Sequence, residues 1–208
     1  MLTRLLLTAT FLIAPLVFAQ EVAPDELVRR TTNDVLNIIR QDKEIQSGNM
    51  RKVVELAEAK VLPNFDFPRM TQLALGRNWR GASDAQKQAL TKEFRTLLVR
   101  TYSTSLSQYR NQVIEVKPAK FAPSDTDVIV KTVVNQPGTQ SIPIDYSMEK
   151  TAQGWKAYDI LVDGVSLVTN YRSTFADEVR KSGIDGLIKT IADRNAKGGQ
   201  AAPPDKKK

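Results

Sequence analysis

The chain has 208 residues, 30 basic against 23 acidic, a formal net charge of +7, and neither Cys nor His. Those absences exclude disulfides, thiol nucleophiles, Ser-His-Asp triads and the usual zinc sites, and with them most common hydrolase mechanisms. The length suits one ordinary domain once any targeting segment is removed.

The chain opens MLTR, then LLLTATFLIAPLVF, then Ala19-Gln20. A basic start, a short apolar run and small residues at Val17 and Ala19 predict a secretory signal peptide over residues 1–19, cleaved after Ala19. The run is broken by Pro15, is too short to span a bilayer and has no Cys near the cleavage point for a lipid anchor. Loss of Arg4 leaves a net charge of +6. An exported basic protein does not meet nucleic acid in its own compartment. Its charge serves either attraction to anionic headgroups and acidic partner surfaces or solubility alone.

PDELVRRTTNDVLNIIRQDKEIQSGN predicts a first helix, with Pro24 in its first turn and Ser47-Gly48 as its stop. A second carries VVELAEAKVL and ends before Pro63. A short helix follows from Pro68 to about Leu75, with Gly76 as its cap. Ser83-Asp84-Ala85-Gln86 forms a capping box that launches the longest helix. Leu90, Phe94, Leu97, Leu98, Thr101, Tyr102, Leu106 and Tyr109 recur at helical spacing, with Lys87, Lys92, Arg95 and Arg100 mainly opposite.

After Asn111 the period changes. VIEVKPAKF, DVIVKTVV, QSIPIDYSM and GWKAYDILV read as four strands, with Gln136-Pro137-Gly138-Thr139 a tight turn between the second and third. Ile142, Ile144, Tyr146 and Met148 alternate with polar neighbours, and Pro143 points to a sheet edge or a bulge. Asp163-Gly164 turns the chain again. SLVTNYRSTFADEVRKSG and IDGLIKTIADR return to helical spacing, and residues 198–208 read as a disordered basic tail. The expected fold is α+β: a curved four-stranded antiparallel sheet wrapped by N- and C-terminal helices, in one domain over residues 20–197.

Enzyme signatures fail on context. Ser147-Met148-Glu149-Lys150 matches S-x-x-K, but on a strand an offset of three puts the two side chains on opposite faces. Gly164-Val165-Ser166 is half of a nucleophile elbow whose second glycine is Val168. Asp125 and Asp127 read as turn caps rather than a metal site. Asp159 and Asp163, four apart on a strand, stand about 13 Å from each other, too far for a glycosidase pair, whose carboxyls lie within about 10 Å. A ketosteroid-isomerase type of site from Tyr146, Tyr158 and Asp159 stays open.

VLPNFDFPRMTQLALGRNWR, SDAQKQALTKEFRTLLVRTYSTSL, GWKAYDILVDGVSL and SGIDGL, in that order from about Asp25 to Asn195, resemble the MlaC or toluene-tolerance family of periplasmic phospholipid-binding proteins. The resemblance implies a carrier without enzymatic activity or cofactor. It implies glycerophospholipid as cargo and two membrane partners: an inner-membrane MCE-domain protein with its ABC transporter, and an outer-membrane lipoprotein–porin complex. The process it implies is the upkeep of outer-membrane lipid asymmetry. A monomer suffices for such a shuttle.

Two acyl tails in water cost on the order of 20 kcal/mol or more, at roughly 0.8 kcal/mol per methylene. A carrier therefore needs an apolar slot between sheet and helices. Candidate tail-wall residues are Phe94, Leu97, Leu98, Tyr102 and Leu106 on the long helix, and Ile144, Tyr146, Met148, Tyr158, Ile160 and Val162 on the sheet. Val165 and Val168 follow the turn. The facing of the fourth strand stays open because both its faces carry apolar residues. A periplasmic adaptor or chaperone is the alternative, marked by exposed apolar surface.

Overall fold

The structure, a computed structural model, describes residues 22–107 and 111–197, apart from the side chains of 104–107. The expected signal peptide (1–19) and basic tail (198–208), like Tyr109, lie outside the described residues.

Helix α1 spans Pro24–Gln41, shorter than its apolar stripe suggests. Asp42 takes an extended conformation and accepts hydrogen bonds from the amides of Glu44 and Ile45, which restarts the chain as the single turn α2, Lys43–Gln46. Helix α3 runs from Met50 to Leu56. It then widens into a π turn, Ala57–Val61, and tightens into a 3-10 turn, Leu62–Asn64. The helical course thus passes through Pro63 instead of ending before it, because a proline in the first turn of a new helix type loses no hydrogen bond.

Helix α4, Phe67–Leu75, begins one residue ahead of Pro68 because Asp66 caps it through the Arg69 amide at 2.8 Å. A 3-10 turn, Gly76–Gly81, leads to α5, Asp84–Ser107. The capping box is formed: the Ser83 amide donates to Gln86 Oε1 at 3.0 Å and the Gln86 amide to Ser83 Oγ at 3.2 Å.

The sheet has five strands, not four: β1 Val113–Val116, β2 Asp127–Asn135, β3 Ile142–Thr151, β4 Gly154–Val162 and β5 Val165–Ser166, an antiparallel meander in sequence order. The added strand exists because Asp163 and Gly164 both adopt positive φ, 52° and 75°. That makes the two-residue hairpin turn whose twist suits antiparallel strands, and Val162 pairs with Val165 across it. Pro143 lies at the start of a central strand rather than on an edge; its carbonyl accepts from the Asp163 amide at 2.9 Å, and its missing N–H faces the turn where β4 stops.

A β-bulge settles the facing of β4. Ser147 pairs with Asp159 but Met148 pairs with Ala157, so Tyr158 is the extra residue. Before the bulge Trp155 and Ala157 face inward; after it Ile160 and Val162 do. One inserted residue keeps an apolar inner face on a strand whose alternation breaks.

Three clusters hold the fold. Helices α4, α5 and α6 (Leu167–Ala196) share a core around Leu90, Phe94, Phe175 and Leu187. Helix α1 covers the inner face of the sheet through Val28, Val130, Met148 and Trp155. A third cluster joins α1, α2 and α3 through Ile39, Ile45 and Val53. Helix α6 breaks at Gly183, φ 72° and ψ −177°, so the two helices read from the sequence are present. At Gly186 a Cβ would stand 2.1 Å from Ser182 Oγ; the G-I-D-G-L segment therefore joins a backbone bend to a close approach.

Candidate functional site: an apolar cavity between sheet and helices

Where the three clusters meet, an apolar cavity of about 480 Å³ remains. Its sheet side is Val134 on β2, Ile142, Ile144 and Tyr146 on β3, and Ile160 and Val162 on β4. Opposite stand Leu98, Val99, Tyr102 and Ser103 of α5, and Phe67 and Met70 of α4. The π turn closes one side with Ala57 and Val61, followed by Leu62 and Phe65, and Leu167 stands at the start of α6. No charged side chain belongs to this lining among the described residues. Ile142, 47% exposed, sits at the rim.

Local chemistry explains the space. The bulge at Tyr158 turns Ile160 and Val162 inward, and the π turn, with small Ala57 and Val61, lines the other side; single π turns recur at functional sites. The polar groups in the wall are hydroxyls. Burial pushes the Tyr146 phenol up to about 12. Burial, then neighbouring Tyr171, holds Tyr102 well above the ordinary tyrosine range. Both stay neutral at any physiological pH, so the wall presents methyl, methylene, ring and neutral hydroxyl groups. Such a surface favours alkyl chains at roughly 0.8 kcal/mol per methylene removed from water and offers an ion no counter-charge.

Of the candidate wall residues, the structure brings Leu98, Tyr102, Ile144, Tyr146, Ile160 and Val162 together around this space. Others go elsewhere. Phe94 and Leu97 are sealed in the helical core, Phe94 with ring centroids 5.1 Å from Tyr171 and 5.2 Å from Phe175. Met148 is packed under α1. The bulge carries Tyr158 out of the inner row, and its hydroxyl donates to both carboxylate oxygens of Asp127, at 2.9 and 3.0 Å. Val165 is exposed on β5, and Val168 is buried in the helical core while its neighbour Leu167 takes the wall position. Leu106 falls outside the described side chains. The residues that sequence reasoning missed come chiefly from Ala57–Met70, where apolar groups around Pro63 follow neither a helical nor a strand period.

The acids of GWKAYDILVDGVSL have structural work. Asp159 Oδ1 accepts from the amides of Ile160 at 2.8 Å and Val168 at 3.1 Å, and Oδ2 from the Ser166 hydroxyl at 2.5 Å. Ser166 in turn caps α6 through the Thr169 amide at 3.0 Å. Asp159 thus ties β4 to the first turn of α6, where a carboxylate also suits the helix dipole. Asp163 forms the turn. Tyr146, Tyr158 and Asp159 are not assembled into one constellation: Tyr146 faces the cavity, Tyr158 bonds Asp127 and Asp159 bonds α6.

These features define a class: an α+β protein with an open, five-stranded antiparallel sheet whose inner face shares an uncharged, apolar cavity with the helices packed on it. A family model described as MlaC protein matches residues 29–193, and the chain belongs to that family. It is similar to the toluene tolerance protein Ttg2D of Pseudomonas putida, at 28% identity over 95% of this chain and 92% of that protein. It is also similar to the intermembrane phospholipid transport system binding protein MlaC of Haemophilus influenzae, at 24% identity over 81% and 80% of the two chains. A solved phospholipid-binding protein from Ralstonia solanacearum, in complex with a phospholipid, has the same fold, with a TM-score of 0.77 and 39% identity over 84% of this chain and 97% of that one. No helix among the described residues is long and apolar enough to cross a membrane.

Proposed function

We propose that the protein is a phospholipid carrier that holds acyl chains in the cavity between β3, β4 and α5 and leaves the headgroup outside. The observation that carries this reading is the lining itself: uncharged throughout, apolar but for three hydroxyl-bearing residues, and open at Ile142. Relatives named for phospholipid binding and transport support it. On this reading the signal peptide directs export to the periplasm. There the protein works without enzymatic activity, shuttling glycerophospholipid between an outer-membrane lipoprotein–porin complex and an inner-membrane MCE-domain protein with its ABC transporter.

Handover suits a wall of this kind. A cavity made only of alkyl and ring contacts releases a tail wherever an equally apolar surface is presented, because no specific bond has to break first.

Native mass spectrometry of the mature protein, followed by organic extraction, tests the reading. Phospholipid at stoichiometric level is expected, and its loss in Tyr102→Glu with an unchanged far-ultraviolet circular dichroism spectrum. Unchanged lipid content in that variant refutes the placement of the tails, and a lipid-free native protein refutes the carrier.

A further inference from the structure

A second concavity lies on the other side of α4. Phe67 and Met70 of that helix face the apolar cavity, whereas Arg69, Gln72, Leu73 and Gly76, one helical stripe, line a groove of about 340 Å³ completed by Arg77, Trp79, Arg80 and Arg172. Four arginines therefore line one small groove. Several cations elsewhere are paired: Arg29 and Arg30 with Glu26, Arg95 with Glu58, Arg180 with Asp177 and Lys189 with Asp193. In the groove Arg69 is paired with Glu149 at 3.7 Å, while Arg77 and Arg80 make no side-chain hydrogen bond or ion pair among the described residues.

Arg172 supplies the frame. Its Nε and Nη2 both donate to the Leu73 carbonyl, at 3.1 and 2.9 Å, which neutralises the negative end of α4 at the groove floor. Lys87 lies over the Trp79 ring, 5.6 Å from its centroid, and adds a cation beside the groove. Positive charge gathered along a concavity draws anions to it. Guanidinium forks match the oxygens of phosphate, and the uncommitted forks of Arg77 and Arg80 suit an oxyanion with more oxygens than a carboxylate has.

We propose that this groove is a binding site for a phosphate group, borne by a lipid headgroup or a free phosphate ester and separate from the apolar cavity. It does not rest on the carrier reading, since α4 divides the two sites.

The test uses the two tryptophans of the chain. In a Trp155→Phe background, Trp79 alone reports on the groove during titration with inorganic phosphate and with glycerol 3-phosphate at constant ionic strength. A saturable, single-site change is expected, weakened roughly tenfold or more in Arg77→Gln/Arg80→Gln, as loss of charge-assisted hydrogen bonds requires. Both arginines are exposed, so the fold survives. Arg51→Gln/Arg180→Gln removes the same charge elsewhere and should stay within about twofold at physiological salt. A non-saturating response, or equal loss in that control, overturns the site, as does an acidic peptide that binds the groove where phosphate does not. Co-sedimentation with phosphatidylglycerol vesicles, in Tyr102→Glu to exclude uptake into the cavity, separates the sources. Binding lost with Arg77 and Arg80 assigns a headgroup; vesicle binding unchanged while phosphate binding is lost assigns a free ester.

Discussion

Phe94 and Tyr102 stand about two turns apart on α5, on one apolar face, and end in opposite surroundings. Around Phe94 the partner is α6, close enough for Tyr171 and Phe175 to set ring edges against it, and nothing is left open. Around Leu98 and Tyr102 the partner is the sheet, and the bulge, the π turn and small Ala57 leave space. The same kind of residue on the same helix is filler at one end and wall at the other. What decides is the shape of the opposing element, which periodicity does not carry.

The largest expected effect separates these two ends. Phe94→Ala should cost about 3–5 kcal/mol, because it leaves a sealed void. Leu98→Ala enlarges a space that already exists and should cost about 2 kcal/mol, the low end for such truncations. Urea unfolding of both variants in lipid-free protein measures the pair. Equal losses would mean that the two ends of α5 are packed alike.

That contrast also marks how much was legible in the sequence. Helix α5 with its capping box, the sheet meander and the break before Ile184 followed from period and turn chemistry, since each is set by residues a few positions apart. Six of the proposed wall residues, Leu98 and Tyr102 among them, surround the cavity, but Phe94, Leu97, Met148 and Val168 satisfied the same pattern and are core. The Asp163-Gly164 turn was legible, but not the two-residue strand that pairs back across it. Two further features were not readable. The facing of β4 depends on a bulge, which is a pairing event between strands. The π turn and Phe65 reach the site through a bridge to Ala157, a contact between segments some ninety residues apart. Each is a tertiary choice overriding local pattern.

Asp159 sits between the two regions, and its replacement tests whether they are separately held. It fixes the first turn of α6, from which Leu167 enters the cavity wall and Val168 the core. Asp159→Ala removes the acceptor of three hydrogen bonds and should cost about 1–3 kcal/mol, with lipid content retained if the acid is structural. Loss of bound lipid at unchanged stability would instead place Asp159 in the function of the cavity. At the packed end, Ser83→Ala breaks the capping box and should cost about 1 kcal/mol while leaving the cavity untouched, a control for loss of stability alone.

The smallest effect appears only in alkali. Tyr146 is half-buried at the cavity, where its hydroxyl makes no hydrogen bond to protein among the described residues, and desolvation there raises its phenol from 10.0 to about 12. The folded protein therefore holds this proton more tightly than the unfolded chain does. The resulting stabilisation is complete below pH 10 and is lost as the pH rises through about 12. Tyr146→Phe should change stability little at pH 7, because no protein partner is orphaned, and should flatten the decline between pH 10 and 12, read by urea unfolding at stepped pH. Tyr102 shares the upward shift from the facing wall, so one substitution removes only part of the slope and Tyr146→Phe/Tyr102→Phe removes more. A native slope unchanged in the double variant would mean that water reaches both phenols freely, and that the space between β3 and α5 is a wet cleft with no advantage for an acyl chain.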